Sequence, residues 1–181
     1  MKAIDIELAN RIVASLRLSK SLQKRLNMSS LGSTPETLWT SYEIIGLPTK
    51  DGTAGVLIVE IQDDLYATPY ELGVVGDKST GRAKPVICDF CKTWQAGGRA
   101  CSITFRPERR SLNSISFLCC LDLKCSLHVR DMTEAAKSSR AQLREDVLQE
   151  YRIERLKDKL EMLVQRLNLK PIIMSDEEIV R

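Results

Sequence analysis

The stretch Cys88-Asp89-Phe90-Cys91, answered further on by Phe117-Leu118-Cys119-Cys120-Leu121-Asp122-Leu123-Lys124-Cys125-Ser126-Leu127-His128, decides how this chain folds. Two cysteines separated by two residues form a turn in which both thiolates can reach one metal ion. Zn²⁺ takes four soft ligands in a tetrahedron, and four thiolates close its shell with no position left for water. Cys88, Cys91, Cys120 and Cys125 are the candidate ligands. The second pair falls where a strand gives way to a helix, with Cys125 in the first turn, where the helix dipole favours a thiolate. A knuckle, a hairpin and then a helix N-terminus is the layout of a treble clef. The expected centre is a structural Zn²⁺ inside a small mixed α/β domain.

The other chemistry-bearing residues read differently. Cys119 is the alternative to Cys120; neighbours in an extended strand point to opposite faces, so only one of them can face the metal. Cys101 reads as a small buried hydrophobe. A redox Cys-x-x-Cys is the competing account, but such motifs open a helix directly after a strand, and Asp89-Phe90 between the thiols is unlike them. His128, the single histidine of the sequence, reads as a surface residue or one just behind the ligands. One histidine, with no Ser/His pairing and no Gly-rich phosphate loop, gives no support for an enzyme or a small-molecule substrate.

Composition sets the background. In 181 residues, 43% are hydrophobic but only 5% aromatic, so the core must rest on Leu, Ile and Val. No run approaches the roughly 20 apolar residues of a membrane span, and the N-terminal stretch lacks the unbroken apolar segment of a secretory signal. A cytoplasmic protein is the expectation, and there Cys-x-x-Cys spacing reads as metal or redox chemistry rather than structural disulfides. The net charge of +3 is unevenly placed: residues 81–130 hold nine Lys or Arg against three acids, so the remainder is net acidic. Such a basic module points to an acidic partner, nucleic acid or protein, or serves solubility alone.

Around this module the expected class is α+β: a small antiparallel sheet with the zinc finger, flanked by N-terminal and long C-terminal helices. Apolar residues Ile4, Leu8, Ile12, Leu16, Leu22 and Leu26 predict a helix over 4–26. Segments YEIIGL and AGVLIVEIQ predict strands, joined by a hairpin turn at Lys50-Asp51-Gly52-Thr53. Residues 55–62 are too apolar for a strand with one wet face. A second strand pair is expected in LYATPYELGVVG, followed by a loop at 77–82. Residues 133–168 contain no Pro or Gly and predict helix, started at Thr133-Glu134 and stopped at Lys170-Pro171. Its seam Ile153, Leu156, Leu160, Leu163 and Leu167 is expected to pack on the protein's own body. The division reads as a helical segment over 1–35, the zinc-finger domain over 36–132 and a helical extension over 133–181. Each helix has an apolar stripe to hide, so the extension is expected to pack on the first helix.

The cysteine spacing, the arginine-bearing hairpin between the pairs and the run Cys120-Leu-Asp-Leu-Lys-Cys125-Ser-Leu resemble the C-terminal treble-clef zinc finger of the elongation-factor-G-binding proteins. This is the FusB-type family, named for fusidic-acid resistance. The resemblance spans roughly residues 36–130, with Tyr42-Glu43-Ile44-Ile45-Gly46 and the strands at 55–75 fitting the β part. It implies a protein that binds elongation factor G through its zinc domain and helps release the factor from a ribosome on which fusidic acid has trapped it.

The expected partner surface is the arginine hairpin together with the first turns of the following helix: Phe105, Arg106, Arg109, Arg110, Lys124, His128 and Arg130. Arginine forks pair bidentately with carboxylates or phosphates, and interface energy concentrates in aromatic and Arg anchors. The alternative partner is the ribosome or RNA itself, with Arg99, Arg106, Arg109, Arg110 and Arg130 on phosphates and Trp94 or Phe105 stacked on bases.

Overall fold

The computed structural model describes residues 1–32, 34–76, 84–106, 113–143 and 146–172, without the side chain of Ser30. The expected loop at 77–82, the hairpin arginines Arg109 and Arg110, and the end of the extension from residue 173 lie outside the described residues. In chain order come helices α1 (Ile6–Ser15), α2 (Lys20–Arg25) and α3 (Ser29–Gly32), then a 3-10 turn over Glu36–Ser41. Strands β1 (Ile44–Pro48), β2 (Ala54–Ile61) and β3 (Asp64–Val74) follow, then the short β4 (Val86–Ile87) and β5 (Trp94–Gln95). Strands β6 (Ala100–Phe105) and β7 (Ile115–Cys120) lead into helices α4 (Cys125–Val129), α5 (Glu134–Leu143) and α6 (Gln149–Arg166). The main sheet is antiparallel with order β1-β2-β3-β6-β7, and β4 pairs with β5 beside it. Among the described residues no helix is long and apolar enough to cross a membrane.

The first hairpin forms where expected. Gly52 takes φ +67°, and Asp51 accepts hydrogen bonds from the Thr49 hydroxyl (2.5 Å) and the Thr53 backbone N–H (3.3 Å). The second hairpin carries no glycine: Gln62 and Asp63, at φ 51° and 69°, make the two-residue turn between Ile61 and Asp64. Positive φ at both central positions matches the right-handed twist of the flanking strands. LYATPYELGVVG, read as a strand pair, lies on the single strand β3, which leaves that turn and ends at Val74. Pro69 lies inside it opposite Val56.

Strand β2 explains the layers. Val56 and Ile58 enter one apolar cluster while Leu57 and Val59 enter the other, as alternation across a sheet requires. One face is covered by α1, through Ala9, Ile12 and Val13, with Ile4 ahead of it and Trp39 and Tyr42. The other is covered by α6, through Leu156, Leu160, Leu163 and Val164 and its C-cap Leu167, with Phe90, Phe105, Phe117 and the cysteines. The expected seam is therefore buried on the protein's own body. The expected docking of the first helix on the C-terminal one is corrected: their stripes enter different clusters. A strand apolar on both faces needs two covers, and each helix supplies one.

Both long helical predictions are broken. Leu16 is extended, and Ser19 starts α2 by accepting the Leu22 N–H (3.2 Å), because a serine hydroxyl competes for backbone donors. In the extension, Leu148 is extended ahead of α6. Asp131 receives Arg140 (2.8 Å) and Arg152 (2.6 Å) on one carboxylate. In one straight helix those arginines would stand about 18 Å apart along the axis, so the break folds both back to Asp131. Thr133 caps α5 through the Ala136 N–H (3.1 Å). Helix α6 ends before the expected Pro171: Asn168 adopts φ 49°, and Leu169 N–H closes on the Val164 carbonyl (3.0 Å).

One glycine is decided by close approach. A Cβ at Gly55 would lie 2.4 Å from both the Leu47 carbonyl oxygen and the Tyr70 hydroxyl. Tyr70, buried, lies across its cross-strand partner Gly55. Gly55→Ala is expected to destabilise the protein by about 1–3 kcal/mol, as overpacking does. Urea unfolding checks this; an unchanged midpoint would show that Tyr70 moves aside freely.

Candidate metal centre

The knuckle Cys88–Cys91 joins β4 to β5. Its turn is closed by Lys92 N–H on the Cys88 carbonyl (2.9 Å) and Cys88 N–H on the Thr93 carbonyl (3.0 Å), with Lys92 at φ 58°. The two residues between the thiols each anchor it. Asp89 pairs with the outer edge of β7, donating its N–H to the Leu118 carbonyl (2.7 Å) and accepting the Leu118 N–H (2.8 Å). Phe90 is fully buried, with its ring centroid 5.4 Å from that of Phe117. The second pair comes from the last residue of β7, Cys120, and the first of α4, Cys125. Between them Leu123, at φ 51°, is buried against the sheet at Gly46, where a Cβ would meet its Cδ1 at 2.5 Å.

These elements bring the sulfurs of Cys88, Cys91, Cys120 and Cys125 within 4.8 Å of one another, all buried. Cys88 and Cys125 are 3.7 Å apart, and Cys91 and Cys120 are 3.5 Å apart. A tetrahedron of thiolates at about 2.3 Å from zinc has edges of about 3.8 Å. The spacing, the soft donors and the burial fit Zn²⁺. The closed set leaves the ion a structural cross-link between the knuckle, the sheet and α4.

Electrostatics within the cluster point the same way. Burial pushes the Cys91 thiol up, but hydrogen bonds with Cys120, Cys125, Cys88 and His128 outweigh it and hold it well below an ordinary thiol. Hydrogen bonds with Cys120, Cys88 and Cys91, then burial, push Cys125 well up. Buried sulfur that carries charge is neutralised by a divalent cation, and metal binding deprotonates the remaining thiols.

Two further side chains support Cys120. Gln95, almost fully buried, donates its Nε2–H to the Cys120 sulfur (3.2 Å). His128 places Nδ1 3.2 Å from Cys120 and 3.8 Å from Cys91, with Nε2 3.5 Å from an Asp122 oxygen. His128 is 1% exposed. It belongs behind the ligands, and its expected place on a partner surface is corrected. Gln95 escaped sequence reading because a lone glutamine in a short strand carries no spacing signal.

The remaining predicted surface residues divide sharply. Phe105 is 0% exposed, in the cluster with Phe117 and Ile103, so its expectation as a docking anchor is corrected: strand alternation turns it inward. Arg130 grips Glu43 with both terminal guanidinium nitrogens, Nη1 at 3.0 Å, and donates from Nη1 to the Ser126 carbonyl (2.9 Å). It is an internal tie between α4 and the start of β1. Ser126 reinforces that tie by accepting the Glu43 N–H (2.9 Å). Arg106 and Lys124 are exposed, and Arg106 lies 3.3 Å from Glu71. Cys119 is separated from the four-sulfur group and faces Cys101 instead.

Residues 12–167 match the family model of the FBP C-terminal treble-clef zinc finger. No curated protein and no solved structure matches the chain. The match reaches beyond the stretch of visible resemblance to include the end of α1 from Ile12 onward and all of α6, so the helix that covers the metal-side face of the sheet belongs to the shared unit. A knuckle clamped on β7, a hairpin, a second pair opening α4 and this match place the chain in the FusB-type treble-clef zinc-finger family.

Proposed function

We propose that Cys88, Cys91, Cys120 and Cys125 hold one Zn²⁺ and that the finger they brace binds elongation factor G. The observation that carries the reading is the match to the FBP zinc-finger family over residues 12–167, a family of binding proteins rather than a known enzyme class. Zinc would fix α4 rigidly relative to the β6–β7 hairpin, so charges on the two form one preorganised patch. Arg106, directly after β6 at the turn end of the hairpin, and Lys124, at the start of α4, are its exposed members among the described residues. Arg109 and Arg110 extend it in sequence. A role in releasing the factor from a fusidic-acid-stalled ribosome would be an extension of this binding.

A protein partner is favoured over RNA by the burial of Phe105, which removes one of the two aromatic platforms available for stacking bases. The Arg106–Glu71 pair is exposed on both sides, so exchanging Glu71 for a partner carboxylate costs little.

Calorimetry of the zinc-loaded Arg106→Ala/Arg109→Ala protein against elongation factor G tests the site. An affinity loss of about 10-fold or more is expected if either arginine is an anchor. Unchanged affinity would refute the patch, and no binding by the parent would refute the partner. A salt titration separates RNA, whose affinity falls by orders of magnitude as salt rises.

A further inference from the structure

Two of the six cysteines take no part in the four-sulfur centre. Cys101 and Cys119 face each other across the β6–β7 ladder with their sulfurs 3.3 Å apart. Both are buried, at 2% and 0% exposure, on strands β6 and β7, so a peroxide reaches them through local opening of that ladder. Burial of a single cysteine as a small hydrophobe is ordinary. Here two thiols lie in direct contact, one donating a weak S–H hydrogen bond to the other.

The register meets the backbone-spacing demand of a bond. Directly opposed residues of an antiparallel ladder have Cα atoms about 4.5–5.5 Å apart, inside the roughly 4.4–6.8 Å range of disulfides. The sulfurs need approach by only about 1.3 Å to reach bonding distance. We propose that Cys101 and Cys119 form a reversible dithiol, a second sulfur site beside the metal centre, which a hydroperoxide closes to a cross-strand disulfide.

The chemistry balances in two steps. One sulfur attacks a peroxide oxygen: the S–O bond forms, the O–O bond breaks, and the leaving oxygen takes the thiol proton. The second sulfur then attacks the sulfenic sulfur, forming S–S and breaking S–O, and the departing hydroxide takes the second proton as water. With hydrogen peroxide, two thiols are oxidised to one disulfide and one peroxide is reduced to two waters. A small dithiol reverses it by exchange. Closure would lock β6 to β7 one residue before Cys120 and fasten the base of the basic hairpin, while the four zinc-site sulfurs keep their places. This inference does not depend on the identity of the partner.

The test treats the zinc-loaded full chain with hydrogen peroxide and follows intact mass, zinc content and the cysteine peptides after alkylation. The expected result is loss of two hydrogens with zinc retained, a peptide pair joining Cys101 to Cys119, and reversal by dithiothreitol. Cys119→Ser should abolish the change while binding zinc as the parent does. Cys101→Ala, farther from the metal centre in sequence, serves if that variant loses zinc. Oxidation mapped to Cys88, Cys91, Cys120 and Cys125 with zinc released, leaving Cys101 and Cys119 alkylatable after unfolding, would overturn the proposal. So would no oxidation at a dose that fully oxidises a free dithiol.

Discussion

Cys125→Ala is expected to abolish zinc binding and unfold the half of the core built around the metal centre. Cys125 is fully buried and lies in one cluster with Phe90, Phe117, Leu123, Leu156 and Leu160. The cluster packs sulfur where a domain of this size would otherwise need apolar side chains. Structural zinc contributes about 10–16 kcal/mol of apparent binding energy in small peptides, which matches or exceeds the roughly 5–15 kcal/mol total stability of a typical domain. Loss of one thiolate opens the shell and leaves three buried sulfurs competing for charge. Elemental analysis and thermal melting with and without chelator read the outcome. Stoichiometric zinc and a parent-like Tm in the variant would refute the assignment. Cys101→Ala, outside the centre, is the control and should retain zinc.

The second large effect is expected at Arg130. Its side chain is 15% exposed, and that of its partner Glu43 is 7% exposed. Removing one member of a buried pair leaves the other charged and unpaired, which costs about 3–5 kcal/mol. Arg130→Met keeps most of the stem volume and should lower stability by that amount in urea unfolding. The Arg130→Met/Glu43→Leu double variant should recover much of the loss, because no lone charge remains. A loss under about 1 kcal/mol in the single variant, the value of a surface pair, would mean that Glu43 finds water. The same variant separates two roles for this arginine. As an internal tie it changes stability and leaves partner affinity intact while the protein is folded.

The metal centre was the most legible part of the chain because its chemistry is local. Cys88-x-x-Cys91 specifies a turn whatever surrounds it, and period-two alternation in the strand separates Cys119 from Cys120, as their partners show. The β1–β2 hairpin was legible for the same reason, since Gly52 supplies the positive φ its turn requires. The glycine-free turn at Gln62-Asp63 was not, because two ordinary residues are held at positive φ by the register of β2 and β3.

Periodicity in the helices identified which residues would be buried together, Leu156, Leu160, Leu163 and Leu167 among them, but carried no information about what would bury them. Hydrophobic burial is non-directional, so an apolar stripe fits any apolar surface. The choice fell to the sheet, whose second strand is apolar on both sides and takes α1 on one face and α6 on the other. Charge was the least legible property. Arg106, Arg130 and His128 belong to one basic stretch of sequence, yet one is exposed, one grips Glu43 and one sits behind Cys120. What a charged side chain does depends on the groups that chain folding brings within a few ångströms of it. Those groups, Glu43 for Arg130 and Gln95 beside the sulfur that His128 also contacts, come from stretches distant along the chain.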